Sequence, residues 1–162
     1  MSASLVVGIL VGLLVLWRVV GRQVTGSLVT QRSLVLMPAI LTVVGAYAIW
    51  STLDGASTGE LAFLALDCVV LIGVGLARGA SIRLERRDGG LWQKGTVATL
   101  LLWVLTIALR VAAAAASAAL WPDSKLGTAT LALTIGLSIA AQNVVIYRRA
   151  LGLRIPFASE RA

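Results

Sequence analysis

The chain has 162 residues, of which 59% are hydrophobic and only 13% charged. Soluble domains carry about 25% charged residues, so this composition excludes an ordinary water-soluble globule. The length suits one transmembrane domain over residues 1–162, with no room for a second. The net charge of +7, from 14 Lys+Arg against 7 Asp+Glu, fits the basic loops of a membrane protein. No helix-turn-helix or aromatic–basic motif stands beside those charges, so no nucleic-acid partner is expected. The chain has no His and a single Cys, Cys68, inside an apolar run. That excludes His ligation of haem or zinc, His general-base chemistry, an internal disulfide and a thiol relay. No metal and no cofactor are expected.

Five apolar stretches follow in order, at about 3–20, 34–51, 61–77, 95–121 and 126–147, each near or above the ~17–25 residues needed to span a bilayer. The first lacks the basic n-region of a signal peptide, because Met1 to Ser4 carry no charge. It reads as a retained helix. Its Gly8 and Gly12 form a GxxxG pattern that lets another helix approach closely. Ala112 to Ala116, in the fourth stretch, share that small-residue character.

Orientation comes from the basic residues. Arg18, Arg22 and Arg32 flank the first connection, Arg78, Arg83, Arg86, Arg87 and Lys94 the third, and Arg148, Arg149, Arg154 and Arg161 follow the fifth stretch. The second connection carries Asp54, with Glu60 at its edge, and the fourth carries Asp123 and Lys125. This alternation predicts five spans with the N-terminus out and the C-terminus in. Trp50 and Trp121 then mark the outer interface, and Trp17, Trp92 and Tyr147 the inner one.

Between the third and fourth spans, Ile82, Leu84 and Arg86 alternate with Arg83, Glu85 and Arg87, and Asp88-Gly89 supplies a type I′ turn. Strands are predicted at about 81–87 and 90–95, forming a cytoplasmic β-hairpin. An isolated hairpin is marginal in water, so it should lean on the membrane surface or on Leu28–Arg32 as a third strand. Arg83, Arg86, Arg87, Arg148 and Arg149 group near this face and are the candidate contacts for anionic lipid, at ~1 kcal/mol per charge. Pro156 should end any helix before it.

The polar residues inside the apolar runs are periodic. Thr99, Trp103, Thr106, Arg110, Ala113 and Ser117 fall on one helical face. Thr130, Thr134, Ser138 and Gln142 recur every four residues, as do Pro38, Thr42 and Gly45 at closely similar spacing. A guanidinium at the depth of Arg110 costs ~2.5–3.5 kcal/mol on insertion scales and calls for a buried partner or a water-lined cavity. Asp67 is the one ionisable group of the third span. Counted from the inner boundary it lies ~16 Å in, against ~24 Å for Arg110, ~21 Å for Thr134 and ~15 Å for Ser138. The expected cluster is therefore Arg110 with Asp67, and Thr106 or Thr134 taking the remaining donors, with Ser138 nearby. It is open to two readings: a polar cavity for an anion or proton-coupled solute, or a buried ion pair with hydroxyls joining the helices.

The stretch from Ser81 to Arg110, with Asp88-Gly89, Trp92, Lys94-Gly95-Thr96, Trp103 and Arg110, and upstream Arg32 and Pro38, resembles the CcdC-like family of small multi-pass bacterial membrane proteins, abundant in actinomycetes. The resemblance covers roughly residues 5 to 150. It implies a bacterial plasma-membrane location, and the family's name implies a link to cytochrome c biogenesis. The chain has no haem-attachment motif, His or Cys pair to perform such chemistry. Its 12 Arg against 2 Lys fit a GC-rich bacterial genome.

Three function classes compete. A membrane enzyme fits poorly, because Asp54, Glu60, Asp67 and Asp123 lie on separate segments and no P-loop or metal-ligand spacing occurs. A small-solute or ion transporter or channel would use Arg110 and Asp67, although five spans cannot divide into equal inverted repeats. An accessory or assembly subunit that binds another membrane protein is favoured. Besides the lipid bilayer, its expected partners are such a protein or further copies of itself.

Overall fold

A computed structural model describes residues 26–53, 55–124 and 126–158. The stretch at 3–20, with Gly8 and Gly12, lies outside the described residues. The elements are β1 (Ser27–Leu28), α1 (Gln31–Leu53), α2 (Thr58–Ser81), β2 (Arg83–Arg87), β3 (Gly90–Lys94), α3 (Val97–Leu120) and α4 (Leu126–Gly152). Among the described residues, four helices are long and apolar enough to cross a membrane. Three overrun the apolar stretches that predict them. In particular α2 continues past Ala77 to Ser81 and takes Arg78 into the helix.

The helices start where side chains can take up their free N–H groups. Ser57 accepts from the backbone N–H of Glu60, and Glu60 accepts in return from the backbone N–H of Ser57 at 2.7 Å. Thr96 and Thr99 make the same reciprocal pair at the start of α3. Thr96 also donates to the Ser81 carbonyl at 3.0 Å, which ties the end of α2 to the start of α3. At the far end of α4, Ile155 N–H donates to the Ala150 carbonyl and Arg154 N–H to that of Leu151. Arg154 has φ 53°. This is a Schellman stop with Arg where Gly is usual. The chain leaves the helix before Pro156.

α4 is the central helix, with α1 along one side and α2 along the other, while α3 leans on α2 and touches α4 lightly. Close approach depends on glycine. A Cβ at Gly45 would fall on the backbone of Leu133, and one at Gly75 on the carbonyl of Ser138. Pro38 sits inside α1. It has no N–H to offer the Leu34 carbonyl one turn earlier. The Asn143 side chain donates there instead, at 2.7 Å.

β2 and β3 pair antiparallel, with Arg87 opposite Gly90. The two-residue loop has φ 50° at Asp88 and 75° at Gly89, as the type I′ turn requires. β1 adds on the other side of β3, Leu28 opposite Trp92, giving the order β1-β3-β2. The third strand is thus Ser27–Leu28 alone, because Gln31 already begins α1. The sheet closes a small apolar core of Val29, Leu34, Ile82, Leu91, Ile146 and Ala150. Phe157 stacks on Tyr147 at 5.4 Å, and Ala158 N–H donates to the Val29 carbonyl, so these two residues lie over this core.

Candidate functional site

The polar stripes of α3 and α4 face α2, and the three helices enclose a seam with a guanidinium at two levels. At the upper level, Arg110 donates through Nη1 to Asp67 Oδ2. Both side chains are about nine-tenths buried. The helix lengths explain why they meet. Asp67 lies 14 residues before the end of α2 and Arg110 13 residues after the start of α3, which puts both ~20 Å above the sheet end. The mismatch in depth expected from the sequence came from ending the third span at Ala77 and starting the fourth at Gly95, where the helices end at Ser81 and begin at Val97.

At the lower level stands Arg78, one of the flanking charges in the sequence reading and in fact fully buried. Its Nε donates to Gln142 Oε1, its Nη1 to Thr106 Oγ1 at 3.0 Å and its Nη2 to Ser138 Oγ at 3.2 Å. Its guanidinium carbon lies 3.9 Å from the centre of the Trp103 ring. Among the described residues no carboxylate pairs with it. Every nitrogen has an acceptor, and the ring face meets the charge.

The expected Arg110 cluster is corrected accordingly. Thr106 and Ser138 serve Arg78. Thr134 donates to the carbonyl of Thr130 on its own helix at 2.9 Å. Among the described residues, Arg110 Nε is buried with no partner. In the sequence, the surplus of acceptors Thr106, Ser138 and Gln142 points to a second buried donor, but nothing there singles out Arg78.

The Arg110–Asp67 pair borders a narrow crevice that reaches Glu60 and Trp121 at the loop end of the bundle, with Ser117 and Thr130 along its sides. The space in it open to water is about 20 Å³, room for about one water molecule. Phe63 and Trp121 meet at its mouth, ring centres 5.7 Å apart.

At the sheet end the arginines divide. Arg83, Arg86 and Arg148 are exposed. Arg87 lies 4.8 Å over the Trp92 ring and 3.8 Å from Asp88. Arg149 departs from its expected role as a lipid contact: its Nη1 donates to the carbonyls of Gly79, Ala80 and Ile82 at 2.7–2.9 Å, capping the end of α2.

No protein-family model matches the chain, and neither a curated protein nor a solved structure shows significant similarity to it.

Proposed function

We propose that this is a multi-pass protein of the bacterial plasma membrane that works as a non-enzymatic accessory or assembly subunit for another membrane protein. The membrane reading draws on the outer faces of the helices. Val35, Val43, Tyr47, Trp50, Leu101, Val104 and Val111 are all more than 60% exposed, a surface that water would not tolerate and lipid would. The segment 3–20 adds the fifth span, and the loop charges orient the protein with the sheet inside. Arg83, Arg86, Arg87 and Arg148 then face anionic headgroups. The relation to CcdC-like proteins belongs to the same proposal and rests on Asp88-Gly89, Trp92, Trp103 and Arg110.

One observation carries the accessory role. The buried charges are taken up by their own neighbours, and the crevice that runs from Arg110 to Trp121 has room for about one water molecule. Such a seam holds helices together. The second reading, a small-solute or ion transporter, is favoured by Arg110 itself, which borders that space and whose Nε has no acceptor among the described residues.

Purification in mild detergent with native mass spectrometry, and flux measured in proteoliposomes, test the proposal. The expected result is a stoichiometric membrane-protein partner and no solute or ion flux above protein-free vesicles. A lone homo-oligomer that supports flux would overturn it.

A further inference from the structure

We propose that the crevice above Arg110 and Asp67 is a one-sided hydration site, with a water molecule bound against the ion pair and supplied only from the loop end of the bundle. The proposal rests on the multi-pass reading and goes beyond it.

Three observations support it. Arg110 is 8% exposed, yet its Nε has no acceptor among the described residues. A buried N–H of a charged group left without an acceptor is costly, and a water is the usual remedy where the space is polar and large enough. The space is there: about 20 Å³, lined by Arg110, Asp67, Ser117 and Thr130, against the ~10–15 Å³ that one water needs. The lining also runs to Glu60 and Trp121, where the connections between helices begin. Arg110 lies 10 residues before the end of α3, so the path is ~15 Å long.

Toward the sheet the seam is dry. Leu71, one turn below Asp67, is fully buried, and so are Thr134 and Arg78. Gly75 brings α2 onto the Ser138 backbone with no room for even a Cβ. The cage around Arg78 adds a second closure. The ion pair thus meets the solution on one side of the membrane alone. By the orientation proposed above, that side is the outer one.

Silver ion, a thiol reagent close to water in size, tests this on the full chain in sealed vesicles of both orientations. All variants carry Cys68→Ala. Ser117→Cys and Thr130→Cys place a near-isosteric thiol in the crevice from two helices. Thr134→Cys and Ser138→Cys place one in the dry part of the seam, and Val111→Cys one on the lipid face near the level of Arg110. Resistance to carbonate extraction is checked first, which separates failure of the multi-pass reading from failure of the hydration site. Silver added on the loop-end side should abolish alkylation of Ser117→Cys and Thr130→Cys after removal of excess silver and denaturation, and leave the other three fully alkylated. Added on the sheet side, it should change none of the five. Crevice thiols no more reactive than Val111→Cys would overturn the hydration site. Silver reaching Thr134→Cys or Ser138→Cys, or reaching the crevice thiols from both sides, would overturn its one-sidedness.

Discussion

Arg78 and Arg110 sit in the same three-helix interface, and each is more than nine-tenths buried. Arg110 has its charge matched by Asp67, but its buried Nε has no acceptor among the described residues. Arg78 has an acceptor at every nitrogen and an aromatic face against it, without a carboxylate among the described residues. The contrast separates two requirements that are often treated as one: neutralising a charge and satisfying its donors. A hydroxyl–amide cage meets the second fully and the first only through dipoles and the Trp103 ring. An ion pair does the reverse. The incompletely satisfied arginine borders the crevice, and the saturated one lies where Gly75 and Gly79 bring α2 onto α4.

Substitutions can break or sharpen this comparison. Asp67→Leu should have the largest effect, because it leaves Arg110 buried and unpaired at a cost of about 3–5 kcal/mol. Thermal unfolding in detergent would report it, and an unchanged midpoint would mean that Arg110 finds another counter-charge. Arg78→Lys should come next. An ammonium cannot reproduce the fork that reaches Gln142, Thr106 and Ser138 together. Losing even one charge-assisted hydrogen bond costs about 1.5–3 kcal/mol, while retention of wild-type stability would show that only the charge matters there.

Gly89→Val lies outside both clusters and serves as the reference. A β-branched residue at φ 75° should cost roughly 1–2 kcal/mol, disturb the sheet and leave both arginines unaffected. Ser117→Ala should have the smallest effect, within about 0.5 kcal/mol, if water rather than Ser117 supports Arg110. A loss comparable to that of Arg78→Lys would mean that Ser117 holds the ion pair directly.

Much of the fold could be read from local chemistry. Asp88-Gly89 between alternating residues dictates the turn and its register. Unbroken apolar runs dictate the helices, and the four-residue recurrence of Thr130, Thr134, Ser138 and Gln142 dictates the inward face of α4. Asp67 and Arg110 stand out as isolated ionisable residues deep in apolar helices. Arg78 and Arg149 were not legible. Both lie beside basic loops, where the bias toward positive charge makes every arginine look alike. Only the packing shows that one is caged and the other caps a helix end. The partner of Asn143 was equally hidden, because the carbonyl freed by Pro38 belongs to a residue 109 positions away.

The account rests on the two arginines being structural, and a double-mutant cycle on the upper pair tests that most directly. Arg110→Leu, Asp67→Leu and the combined variant would be unfolded thermally in the same detergent. The account predicts that each single variant loses stability and that the double variant recovers much of what Asp67→Leu loses, because neither partner is then left as an unpaired buried charge. Losses that simply add would contradict it, and would show that Arg110 and Asp67 do not depend on each other.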